Sequence, residues 1–151
     1  MSTQEILSKF KPVKDNLLPI LHHLQDNHPQ NYLPDDALMA TAKYLNMTTS
    51  SVYGVVGYYT MFSRKPRGKF IIRFCTSPVC NMMGSTSVLD WLSERLGISV
   101  GNTTPDGLFT IEESECLGRC GMAPSMMINQ KFYGNLTPEV LDSIIHQLKN
   151  S

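Results

Sequence analysis

The chain's only concentration of metal-binding or redox chemistry is its four cysteines, which fall in two close pairs. Cys75 and Cys80 flank TSPV, and Cys116 and Cys120 flank LGR. Four thiolates brought to one point are the usual ligand set of an iron-sulfur cluster or a structural zinc, and the three-residue gap suits a zinc knuckle, so both stay open on spacing. Loop composition leans toward iron-sulfur. Gly84, Gly118 and Gly121 lie close to the pairs, where a missing Cβ lets backbone N–H groups turn toward anionic sulfur. A helix starting near residues 84–87 would point its positive end the same way. A thiol-disulfide enzyme fits poorly, because neither gap is C-x-x-C. Four unliganded core cysteines would have no reason to pair so closely, each pair near glycine.

Other residues invite chemistry with less support. His22, His23 and His28 fall in a helix and its end without companion ligands, and read as solvated helix residues. Tyr53, Tyr58, Tyr59 and Phe62 overlap an apolar helical stripe, as core or partner contacts would. Met82, Met83, Met122, Met126 and Met127 crowd the cysteines, as shielding or as ordinary filling. Arg119 would favour a more negative cluster, and Glu112, Glu113 and Glu115 would oppose it. Pro124, just after the last cysteine, marks a rigid turn. There is no G-x-G-x-x-G, no P-loop and no nucleophile elbow, so no nucleotide or flavin site is visible.

The elements that must position the thiols follow from periodicity. Leu17, Ile20, Leu21 and Leu24 recur at helical spacing behind Asp15 or Asn16 as cap. Pro34 opens a second helix with Leu38, Ala42 and Leu45 on one face, and Thr48 or Thr49 caps a third carrying Val52, Val55, Val56 and Tyr59. Gly54 and Gly57 would let that third helix approach a neighbour closely. Residues 63–69, SRKPRGK, read as a linker. Beyond it KFIIRFC alternates like a strand, SVLDWLSERLG is a helix stopped by Gly97, LFTIEE is a strand, SMMIN and KFYG form a hairpin about Asn129 and Gln130, and Thr137 caps a final helix. The expectation is an α/β fold in two parts: a helical docking region over 1–66, and over 67–151 a small layer of sheet and helices that holds the cysteines.

Composition limits the partners. With 151 residues, 42% hydrophobic, the chain has enough material for a core without staples, and 13 basic against 13 acidic residues give no field for a phosphate backbone. No signal-peptide core and no bilayer-length apolar run occur, so a cytoplasmic protein without membrane insertion is expected, and in that compartment cysteines bind metal or react rather than cross-link.

ECLGRCGMAPSMMIN, with CTSPVC upstream, resembles the thioredoxin-like [2Fe-2S] subunit family of respiratory complex I and of related NAD(P)-linked hydrogenases and formate dehydrogenases. YLPDDALMATAKYLNMTTSSVYGVVGYYTMF is similar to that family's N-terminal helical region and NLTPEVLDSII to its tail. The chain departs from it directly after Cys80, in CNMMG, and at the NQK turn, in neither case at a cysteine. The resemblance implies an N-terminal helical bundle followed by a thioredoxin-like [2Fe-2S] ferredoxin domain. It implies Cys75 and Cys80 on one iron and Cys116 and Cys120 on the other. The role implied is one-electron transfer, without catalysis by this subunit, to a partner carrying flavin and iron-sulfur, with FMN and NAD(P) bound only there; some members of the family pair with themselves. A free-standing ferredoxin and a zinc-stabilised interaction module are the other readings.

Overall fold

The computed structural model describes residues 1–151, which divide into two compact units, 1–67 and 68–151.

The first unit is helical. Helix α1 (Thr3–Leu7) begins in a capping box in which the Ser2 hydroxyl accepts from the Glu5 N–H and the Glu5 carboxylate accepts from the Ser2 N–H. A 3-10 turn (Lys14–Asn16) leads into α2 (Leu17–Asp26), followed by α3 (Asp35–Tyr44) and α4 (Thr49–Tyr58). Leu17, Ile20, Leu21, Leu24, Leu38, Ala42, Leu45, Val52 and Val56 are all buried in one core, as the helical spacing requires. Asp35 and Asp36 occupy the first turn of α3, where acidic groups suit the dipole, and the Thr48 hydroxyl caps α4 by accepting from the Ser51 N–H. Gly54 and Gly57 do not mediate close packing, because a Cβ at either would meet nothing within 4 Å. Both fall on the outer side of a helix whose contact face is Val52 and Val56.

The second unit is a four-stranded mixed sheet with helices. Strands β1 (Phe70–Cys75), β2 (Phe109–Ser114), β3 (Met126–Ile128) and β4 (Lys131–Tyr133) lie in the order β2-β1-β3-β4. β1 and β2 are parallel, from Phe70 opposite Phe109 to Cys75 opposite Ser114, while β1–β3 and β3–β4 are antiparallel. Phe70, Ile72 and Phe74 alternate into a core shared with Leu89 and Leu92 of α6 (Ser85–Leu96) and Leu141, Ile144 and Ile145 of α7 (Pro138–Lys149). α7 starts as expected, with Thr137 as cap and Pro138 in the first turn. A close backbone approach in this unit is at Gly68, where a Cβ would sit 2.9 Å from the Leu108 carbonyl group. One element was not legible in the pattern: the five-residue helix α5 (Pro78–Met82), which contains Cys80. No helix is long and apolar enough to cross a membrane.

Candidate metal centre

Because β1 and β2 run parallel side by side, their C-terminal ends open on the same end of the sheet, and the loops that follow both carry cysteines. Cys75 is the last residue of β1. Its N–H donates to the Ser125 carbonyl at 3.0 Å, and the next N–H, of Thr76, donates to the Ser114 carbonyl at 3.2 Å, so the strand is tied on both sides where the thiol emerges. Cys80 follows on α5, its Sγ 3.5 Å from the Ser125 hydroxyl. Cys116 comes two residues after β2, and Cys120 opens a 3-10 turn (Cys120–Met122) whose next peptide, Ala123–Pro124, is cis. The Sγ atoms of Cys116 and Cys120 are 3.5 Å apart.

The two loops meet. Burial pushes the Cys75 thiol up, but N–H groups of Ser77 and Leu117, the Cys80 thiol and the Ser77 hydroxyl outweigh it, leaving the pKa below the ordinary thiol value. Ser77 belongs to the first loop and Leu117 to the second, so one sulfur is served by both. Cys120 is displaced oppositely: the hydrogen-bonded Cys116 thiol and its charge raise it, desolvation adds, and so do the charges of Cys80 and Cys75. Cys120 therefore stands in the field of the other three thiols, a repulsion that a bound cationic metal core would relieve. The thiols lie as two pairs; no three His, Cys, Asp or Glu side chains gather at single-ion spacing. A donor set of two thiol pairs fits a group with two metal centres.

The backbone donors are only partly those expected. Gly118, at φ 73°, does turn its N–H toward Cys116 Sγ at 3.4 Å, a conformation for which glycine is suited. Gly84 does not, since its N–H donates to the Asn81 carbonyl at 3.0 Å within the turn between α5 and α6. Ser77 and Leu117 supply the donors at Cys75 instead, and no glycine signal could have marked them.

The remaining candidates are dispersed. His22 packs at a tilt against Phe62, and His23 and His28 meet Phe10 and Tyr32 edge-on, all in the helical unit. The Tyr53 hydroxyl donates to Asp35 at 2.8 Å while Arg64 pairs with the same carboxylate and covers the Tyr53 ring. Tyr58 is exposed and Phe62 is core. Met126 is core; Met82, Met83 and Met122 are exposed. Glu112 pairs with Arg73 at 3.4 Å, and Glu113 and Glu115 face solvent.

The chain as a whole is similar to known proteins. Residues 3–149 match the family described as "Thioredoxin-like [2Fe-2S] ferredoxin". The chain is 33% identical over 150 residues to an NADH-quinone oxidoreductase subunit of Mycobacterium tuberculosis, matching 99% of this chain and 59% of that protein, so it spans about three fifths of that relative's length. It is 36% identical over 141 residues to the NADP-reducing hydrogenase subunit HndA of Solidesulfovibrio fructosivorans (93% of this chain, 81% of that one) and 37% over 149 residues to the corresponding NADH-quinone oxidoreductase subunit of Rickettsia bellii (97% and 89%). The fold is shared with an NAD+-reducing [NiFe]-hydrogenase in its H2-reduced state, with TM-score 0.78 at 21% identity over 93% of this chain and 24% of that one. The chain belongs to the thioredoxin-like [2Fe-2S] ferredoxin family, whose cofactor is a [2Fe-2S] cluster.

Proposed function

We propose that the chain is the [2Fe-2S] electron-transfer subunit of an NAD(P)-linked oxidoreductase of the NADH dehydrogenase, hydrogenase or formate dehydrogenase type, with Cys75 and Cys80 on one iron and Cys116 and Cys120 on the other. The observation that carries it is the meeting of two thiol pairs at the C-terminal ends of two parallel strands, with Cys120 in the field of the other three thiols.

When bound, the cluster supplies a centre that takes up or releases one electron. The chain's own residues prepare the place. Ser77, Leu117 and Gly118 present N–H groups to sulfur and favour negative charge there. Packing around Cys75, Cys80 and Ala123, with Leu117 against them, keeps water from the first pair. The exposed second pair marks the side on which electrons enter and leave. Hydride moves two electrons together, so nicotinamide and this centre need a flavin between them. FMN and NAD(P) would sit on the partner, a flavin- and iron-sulfur-bearing subunit of the same complex. The helical unit, residues 1–66, would dock to it, and exposed Tyr58, Met39 and Met61 are apolar surface for that purpose. The protein would work in the cytoplasm, where a reducing environment keeps cysteines available as metal ligands.

Anaerobically purified protein should contain iron and acid-labile sulfide in equal amounts and absorb in the visible. Dithionite should reduce it, and NADH or NADPH alone should not. Stoichiometric zinc without sulfide would sink the reading, and direct bleaching by a nicotinamide would require a nucleotide site on this chain.

A further inference from the structure

Beside the second thiol pair, at the outer edge of the sheet, lies a recess of about 320 Å3 lined by Arg119, Met122 and the hairpin residues 130–134. Two cations are held there on aromatic rings. The Arg119 guanidinium lies 4.8 Å from the Phe132 ring centroid and the Lys131 ammonium 5.2 Å from that of Tyr133. Neither has a carboxylate within salt-bridge distance, whereas Arg64, Arg73 and Arg95 are each paired with one.

Their placement is fixed by backbone. The Asn135 N–H donates to the Met122 carbonyl at 2.7 Å, and Gly134 lies so close that a Cβ there would sit 2.5 Å from Met122 Cβ. The hairpin carrying both rings is thereby locked to the turn that begins at Cys120. Of the nearby acidic residues, Glu112, paired with Arg73, and Glu113 are on β2, the opposite edge strand. Edge protection would explain Lys131, on the terminal strand β4, but not Arg119, which belongs to no strand.

We propose that this recess is the docking point for a carboxylate-bearing face of the protein that exchanges electrons at the thiol end. A guanidinium stacked on a ring keeps its edge N–H groups free for bidentate carboxylate contact and loses little freedom on binding. A protein face suits it better than a small anion, because exposed apolar groups, Met122 and Phe132, line the recess with the cations. Ion pairs at such a rim set encounter rate and orientation.

This inference rests on the cluster assignment, and one experiment separates the two. Full-length, cluster-loaded protein is reduced with dithionite, and its reoxidation is followed in stopped flow with anionic hexacyanoferrate(III) and, separately, cationic tris(phenanthroline)cobalt(III). Each oxidant takes one electron, and the ratio of the two rates cancels any change in cluster potential. At low ionic strength Arg119→Gln/Lys131→Gln should lower the anion-to-cation rate ratio by about threefold or more, and high salt should erase the difference. Phe132→Leu, which removes the platform and keeps both charges, should lower it by a smaller factor. Lys149→Gln should leave it unchanged, since Lys149 acts on Asp106 ahead of β2, at the other end of the strand from the thiols. An unchanged ratio in the double variant, or an equal change in Lys149→Gln, overturns the docking point while the cluster stands. Protein that shows no bleaching by dithionite overturns both.

Discussion

Cys75 and Cys80 are 1% and 2% exposed, whereas Cys116 and Cys120 stand in solvent, although all four meet at one end of one sheet. The difference comes from what precedes each pair. Cys75 ends β1, a central strand held by β2 on one side and β3 on the other, and α5 returns Cys80 against Ser125. Cys116 and Cys120 follow β2, an edge strand, on a loop whose regular structure is one 3-10 turn. One half of the site is thus built into the sheet, and the other half is an exposed flap tied to the hairpin through Met122.

The largest effect separates the halves by what remains after metal is lost. Alanine at any of the four cysteines should abolish visible absorbance and lower iron to near background, because each thiolate belongs to a set of four. In the metal-free protein the same variants should diverge. Cys75→Ala and Cys80→Ala should cost about 1–2 kcal/mol in a urea denaturation, as truncations in a packed interior do. Cys116→Ala and Cys120→Ala should fall within about 0.5 kcal/mol of wild type. Equal losses from both pairs would mean that the second loop is as much a part of the core as the first.

A second variant pair tests how the flap is anchored. Gly134→Ala puts a methyl group 2.5 Å from Met122 Cβ and 2.8 Å from its carbonyl oxygen, atoms that no rotamer change can move. The cost should be about 1–3 kcal/mol, with the turn after Cys120 displaced and the cluster lost faster to a chelator. Gly121→Ala, inside that turn, meets nothing within 4 Å and should be tolerated in both assays. If the two behave alike, the hairpin does not hold the second loop.

Much of this arrangement was legible beforehand, and the reasons for the rest are physical. Leu17 to Leu24, Phe70 to Phe74 and Leu141 to Leu148 state their elements because burial repeats with the period of each. α5 stayed hidden because five residues hold little more than one helical turn, too short for a period, and Pro78 beside Ser77 reads equally as a loop. The cysteine pairs were legible from spacing alone. Their unequal burial was not, because it depends on β1 being central and β2 marginal, which only the strand order decides. The donors to Cys75 escaped for a like reason: Ser77 and Leu117 are ordinary in sequence and become neighbours only when the two strand ends align.

Alkylation of the metal-free protein reads the contrast at the level of single sulfurs. Reactivity needs both thiolate and access, and at Cys75 the two oppose each other, since its pKa lies below the ordinary thiol value while its side chain is buried. Access should dominate, with Cys116 and Cys120 labelled by iodoacetamide faster than Cys75 and Cys80 by roughly an order of magnitude at neutral pH, as peptide mass spectrometry can resolve.

Within the exposed pair, pH should then distinguish the sulfurs in the least conspicuous of these effects. Cys120 has a raised pKa because it shares a hydrogen bond with Cys116, 3.5 Å away, and because that neighbour's charge resists a second thiolate. Its thiolate fraction lags that of an ordinary thiol as pH rises, so its labelling rate should still be climbing above about pH 9, where a free cysteine's has begun to level. In Cys116→Ser the neighbouring charge is gone, and the Cys120 profile should move to lower pH. A profile that stays in place would show that the two sulfurs of the second loop do not share a field in the absence of metal, and the flap would then be open rather than poised.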